Sequence, residues 1–307
     1  MKITLGLLPF TLSAVAVSVN AQDTKSSEFS IQANVQLPFP KWLTDFTGLT
    51  SWPGVDPPYI PLDFIDFEKI PKHIPAHESG HCATLANNFD TCSFDCHNCV
   101  SSDDVYTCPQ LSQTFDDGPS VATPKLLDSL KSKATFFILG INAVRLPDVY
   151  RSTVDRGHVV GSHTWSHKFL PSLKNEEIIA QIEWSIWAMN ATHGHLPKWF
   201  RPPYGGIDNR VRAILRQFGM QAVLWDFDTF DWKLMNGGTA KDEQTIYDNV
   251  RKFKNANQGH GLILEHDVFG RTVDVALKVN DIVGPSQLTV PQCVGGLDYI
   301  KRFDIEN

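Results

Sequence analysis

From residue 111 onward the chain alternates short apolar runs with longer amphipathic stretches. The runs 111–115, 134–139, 158–163, 199–201, 221–225, 261–266 and 288–290 have the length and composition of strands. Between them, 123–133, 147–156, 175–189, 209–218, 243–253 and 273–283 carry apolar residues at helical spacing. About seven such strand–helix repeats predict a parallel sheet covered by helices, either doubly wound or closed into a barrel. Both architectures bind ligands at the carboxyl ends of their strands. Polar residues collect at those ends: Asp116 and Asp117 after the first run, His163 after the third, Arg201 and Tyr204 after the fourth. Asp226, Asp228 and Asp231 follow the fifth, and His266 with Asp267 closes the sixth.

The pattern before residue 108 is different. Residues 1–21 have a short basic start, an apolar middle and small residues around a cut after Ala21, which predicts a secretory signal peptide. No second apolar run of spanning length follows, so the mature chain is expected to be soluble and outside the cytosol. From 22 to 107, prolines such as Pro38, Pro53, Pro57, Pro58 and Pro75 interrupt any long element, while Trp42, Phe46, Trp52, Tyr59, Phe64 and Phe67 recur between them. We read this as an irregular extension whose aromatics pack on the main domain; a sugar-stacking surface is the alternative. The main domain is then 108–295, with a polar tail at 296–307.

Composition narrows the classes. The 307 residues are 42% hydrophobic and 20% charged, as in globular proteins, and the net charge of -7 gives no footprint for nucleic acid or an anionic membrane. In a secreted chain the six cysteines predict disulfides. A bridge between Cys108 and Cys293 would clamp the two ends of the main domain; Cys82, Cys92, Cys96 and Cys99 leave three connectivities open. Asn190-Ala191-Thr192 is a glycosylation acceptor sequence.

The densest chemistry lies in Thr114-Phe115-Asp116-Asp117-Gly118-Pro119-Ser120. Adjacent side chains of an extended strand face opposite ways, so both carboxylates reach one site only if the chain bends, which Gly118 and Pro119 are expected to supply. His163 and His167, four apart, fall on one face if the segment turns helically. With one carboxylate they make an Asp, His, His set with an open position, the pattern of a catalytic divalent-metal site, and the second carboxylate is left as a proton acceptor.

Taken in order, Thr114-Phe115-Asp116-Asp117-Gly118-Pro119, His163-Thr164-Trp165-Ser166-His167, Arg201-Pro202-Pro203-Tyr204-Gly205, Asp228-Thr229-Phe230-Asp231-Trp232 and Leu264-Glu265-His266 resemble the motifs of the polysaccharide deacetylases, carbohydrate esterase family four. Two flanks, 52–59 and 181–190, are similar to the yeast chitin deacetylases of spore-wall formation. The resemblance implies a distorted seven-stranded β/α barrel, chitin as substrate with chitosan and acetate as products, and work in a fungal spore or cell wall, with no protein partner. It implies one divalent ion, zinc ahead of cobalt or another, on Asp117, His163 and His167. It also implies Asp116 as general base oriented by Arg201, and His266 as general acid tuned by Asp231. The backbone N–H of Tyr204 is the implied oxyanion donor, and Trp232 and Leu264 the implied walls of the acetyl pocket. Where these motifs usually carry proline after the second histidine, this chain has Lys168. His158, His193, His195 and His260 match no motif and are expected to be structural or exposed.

Overall fold

A computed structural model of the protein describes residues 35–83 and 85–303; the signal peptide expected at 1–21 lies outside the described residues, as do 22–34. Seven parallel strands form one sheet: β1 (Ser112–Asp116), β2 (Thr135–Ile138), β3 (Val159–Ser162), β5 (Trp199–Phe200), β6 (Gln221–Ala222), β7 (Phe227–Asp228) and β8 (Leu262–His266). The spatial order is β6-β5-β3-β2-β1-β8-β7, so the sheet curls as an incomplete barrel with the short β6 and β7 at its edges. β4 (His195–Pro197) and β9 (Tyr299–Arg302) make a separate antiparallel ribbon, which gives the polar tail a pairing partner.

The strands at the middle of the sheet, β1, β2 and β3, are buried along their whole length, which is why they read as continuous apolar runs instead of alternating ones. Alternation survives in what each face meets. On β1, Phe115 packs outward with Phe136, Leu126 and Val273 under the helices, while Thr114 and Asp116 point to the polar side with Arg201. Register then sets the site: Asp116 of β1 lies beside His266 of β8, so two candidate proton carriers leave adjacent strand ends together.

One predicted strand is absent. Residues 288–289 are irregular and Val290 opens a short helix, Val290–Val294, with Pro291 in its first turn. The backbone N–H groups of Leu288 and Val290 donate to Ser112 Oγ and Thr135 Oγ1 instead of a ladder, so polar side chains on β1 and β2 replace the missing neighbour. The seventh strand is instead β7, two residues long, within the stretch read as following the fifth run.

The extension packs on the domain. Helix Asn175–His193 is apolar nearly all round, with Ile178, Ile182 and Trp184 fully buried, and such a helix needs cover on both sides. The extension covers the side turned from the sheet: Phe39 and Trp52 pack on Trp165 and Trp184, and Trp184 Nε1 donates to Pro58 O at 2.8 Å. Trp42, Phe46 and Phe64 remain substantially exposed. Val105, also assigned to the extension, pairs in parallel with Val223 and lengthens the sheet edge.

The disulfides are Cys82–Cys96, Cys92–Cys99 and Cys108–Cys293. The last spans 185 positions of sequence and joins the chain just before β1 to the helix after the barrel. Closing so long a loop constrains the unfolded chain strongly, so Cys108→Ser with Cys293→Ser is expected to cost about 2–5 kcal/mol, read as a drop in urea midpoint, with a larger m because the unfolded chain is freed to expand.

Candidate active site

At the carboxyl ends of the strands, a cavity of about 580 Å³ is lined by Asp116, Asp117, His163, His167, Tyr204, Trp232, Leu264 and His266, with Pro202, Trp225, Asp228 and Met235. Asp116 is the buried last residue of β1. The chain turns at Asp117 itself, whose φ of 73° lies in the left-handed region, and this swings the second carboxylate to the same side as the first. The bend therefore precedes Gly118, where the sequence had placed it. Gly118 is required for a different reason: a Cβ there would lie 2.6 Å from Asp267 Oδ1. Asn142, which no motif indicated, donates from Nδ2 to Asp117 O at 2.9 Å and fixes the turn.

Arg201 is completely buried and fully engaged. Its Nη1 donates to Asp116 Oδ1 at 2.9 Å and to Thr114 Oγ1, while Nε and Nη2 donate to Val223 O and Leu224 O; its guanidinium lies 4.1 Å over the Phe137 ring. A guanidinium tied at four points offers Asp116 one rigid hydrogen bond and leaves Oδ2 without this donor.

Asp117, His163 and His167 bring one donor atom each within 4.8 Å of one another. Asp117 Oδ1 is buried without a hydrogen-bond donor, and it lies 3.3 Å from His163 Nε2 and 3.1 Å from His167 Nε2. His163 Nδ1 donates to Arg201 O at 2.8 Å, because a carbonyl oxygen can only accept, so in the neutral ring Nε2 carries a lone pair. Burial pulls the His167 pKa down to about 4 against the attraction of Asp117, with repulsion from His163 adding to it, so this ring is neutral near pH 7. Three atoms of ligand type, one carboxylate oxygen and two imidazole nitrogens, thus converge on one point. A divalent cation fits that set, with nitrogen and oxygen donors and room in the cavity for a further ligand. A second group, His77, Asp95 and Cys96, is unsuited to a metal because Cys96 is bonded to Cys82.

The loop carrying the two histidines is strained. Thr164 (φ 73°) and His167 (φ 64°) both occupy the left-handed region, at a cost of roughly 1 kcal/mol or more each, so the surrounding contacts must hold them. At Tyr204, φ is 59°, and its exposed ring meets His167 edge-on with centroids 4.5 Å apart.

His266 ends β8, and Asp231 holds it at two points: Nδ1 lies 2.7 Å from Asp231 Oδ1, and the backbone N–H donates to Oδ2 at 2.8 Å. Burial opposes charge on this ring, but the Asp231 hydrogen bond and charge, helped by Asp117 and Asp116, outweigh it and push the pKa up to about 10. With Nδ1 engaged, Nε2 is the nitrogen left for the cavity. Buried Leu264 and part-exposed Trp232 contribute apolar wall beside it.

Residues 104–223 match the polysaccharide deacetylase family. The chain is 58% identical to chitin deacetylase 2 of Saccharomyces cerevisiae over 293 residues, covering 94% of this chain and 92% of the relative. It is 56% identical to chitin deacetylase 1 of the same yeast, covering 89% of each. Among solved structures, the chitin deacetylase of the fungal pathogen Colletotrichum lindemuthianum superposes with a TM-score of 0.57 at 29% identity, covering 63% of this chain and 92% of that one.

The chain belongs to the polysaccharide deacetylase family.

Within this deacetylase, the acidic residues after the fifth run separate. Asp231 is buried beside His266 and Asp228 lines the cavity, but Asp226 sits at the other end of β8, accepting the N–H of Leu262. Of the histidines outside the motifs, His158 and His195 are buried among aromatic rings, and His193 pairs with Asp155. Thr114, Trp225 and Met235 join the deacetylase site without having been singled out for it, and Asp228, read as a polar residue at a strand end, lines its cavity. Of these, Thr114 and Asp228, each inside a motif, carried a sequence signal.

Proposed function

We propose that the protein hydrolyses the N-acetyl groups of N-acetylglucosamine units in chitin, giving chitosan and acetate. The reading is carried by one observation: the Asp117, His163, His167 donor set shares a cavity with two supported proton carriers, Asp116 on Arg201 and His266 on Asp231. The similarity to two yeast chitin deacetylases supports the choice of substrate. Asp117, His163 and His167 hold a divalent ion, zinc in our reading, which when bound polarises the acetamide carbonyl and lowers the pKa of water.

The chain's own residues do the rest. Asp116, oriented by Arg201, takes a proton from water as its oxygen adds to the carbonyl carbon. The backbone N–H of Tyr204 donates to the developing oxyanion. The C–N bond then breaks as the nitrogen takes a proton from His266, and acetate and a glucosamine unit leave. Trp232 and Leu264 shape an apolar pocket for the acetyl methyl. We place this work in a fungal spore or cell wall. Three disulfides suit an oxidising compartment, and half-buried Asn190 is proposed as a glycan site.

The test is acetate release by the purified protein from chitin oligomers, acetylated xylan and peptidoglycan. Release from chitin oligomers above the others supports the proposal; release only from another polymer moves the substrate, and none from any, with ion bound, overturns the enzyme reading. A further expectation concerns pH. His266 must be protonated to act, so the rate holds below its pKa and falls as pH rises through it. Asp231→Asn removes the main cause of that raised pKa, and the basic limb of kcat against pH is expected to move to lower pH, with no shift arguing against His266 as acid.

A further inference from the structure

The loop 163–168 is supported from outside the barrel as well as from within. Three of its side chains meet three consecutive residues of the extension: Trp165 Nε1 donates to Gly54 O at 2.6 Å, Ser166 Oγ donates to Val55 O, and Lys168 Nζ pairs with Asp56 Oδ1 at 2.8 Å. Gln181, on helix Asn175–His193, locks the match by accepting the Ser166 N–H at 3.0 Å and donating to Val55 O at 3.3 Å. On either side of these contacts Trp52 stacks on the buried Trp165 ring, Trp184 Nε1 donates to Pro58 O, and Ile60 N–H donates to Glu183.

We propose that residues 52–60 are a brace that positions the metal ligands, holding the loop in the strained form in which His163 and His167 face Asp117. The inference rests on the metal reading above and adds a role for a segment outside the barrel. A segment that merely covered the helix would need only the Trp52 and Trp184 packing. Here the donors are Trp165 and Ser166, which lie between the two histidines, and the ion pair is made by Lys168, which follows the second. The loop also has two non-glycine residues in the left-handed region, so without outside contacts it has less strained alternatives to relax into. Groups that orient ligands in this indirect way typically carry about 10–100-fold of metal affinity. Asp56 and Lys168 meet partly in solvent, so their pair adds little, and the weight falls on the Trp165 and Ser166 hydrogen bonds.

The test measures zinc affinity of the full chain by chelator competition, with hydrogen exchange of the 163–168 amides in the zinc-free protein. Trp165→Phe keeps a ring in the buried position and removes the donor to Gly54 O; Ser166→Ala removes the donor to Val55 O without emptying a core position and carries the test if Trp165→Phe does not fold. The expected result is a 10–100-fold weaker zinc affinity and faster exchange at 163–168, with acetate release recovering to near the unsubstituted rate at saturating zinc. A folded variant that binds zinc as tightly and exchanges as slowly as the unsubstituted chain overturns the brace alone. If Asp117→Ala leaves zinc affinity unchanged, the metal site itself falls, and the brace with it.

Discussion

Asp116→Asn is expected to lower kcat for acetate release from chitin oligomers by about 10²–10⁴-fold while the protein keeps its full complement of zinc. Asparagine is nearly isosteric and its carbonyl oxygen can still accept from Arg201 Nη1, so the buried guanidinium is not stranded and the fold should hold. What disappears is a group able to take a proton from water. Equal loss of zinc and activity in this variant would mean that Asp116 is a ligand and that the roles of the two aspartates are reversed.

The complementary result is expected one residue later. Asp117→Ala removes the one carboxylate oxygen that faces both histidine nitrogens, and a three-donor site reduced to two should lose zinc by at least about 10-fold and with it nearly all acetate release. Chelation of the unsubstituted protein should give the same inactivity and re-addition of zinc should reverse it, whereas the same addition to Asp117→Ala should not restore the rate at stoichiometric metal. Zinc content measured beside kcat separates the two aspartates in a single comparison. A variant that retains zinc and activity sinks the assignment of Asp117.

Which of the two is ligand and which is base could not be read from their order in the chain alone. In an ideal strand they face opposite ways, and only the left-handed Asp117 brings them together; a non-glycine residue in that conformation leaves no compositional mark. The main sheet was legible because β1, β2, β3 and β8 are buried along most of their length and so appear as unbroken apolar runs. β7 was not, since two residues carry no periodicity, and 288–290 imitates a strand because its apolar side chains cover β1 and β2 without pairing to them. The histidines, Arg201 and Asp231 were legible as types at strand ends. Thr114 stood inside a motif but, within an apolar run, showed no role of its own, and the partners of Trp165 and Ser166 were hidden more deeply. Gly54 and Val55 contribute carbonyl oxygens, which every residue has, so no pattern of side chains announces them.

The bridge from Cys108 to Cys293 has a topological consequence. It turns the barrel into a covalent ring, with the extension and the tail as branches leaving it. A single peptide cut anywhere on that ring opens it without dividing it. An exposed turn such as Asn236–Gly238 could therefore be nicked by a neighbouring protease, and both segments would stay joined, each still holding its part of the cavity: Asp116, Asp117, His163 and His167 on one, His266 on the other. Damage to such a molecule becomes a separation only when a reductant arrives as well, and under oxidising conditions a molecule cut once remains one piece.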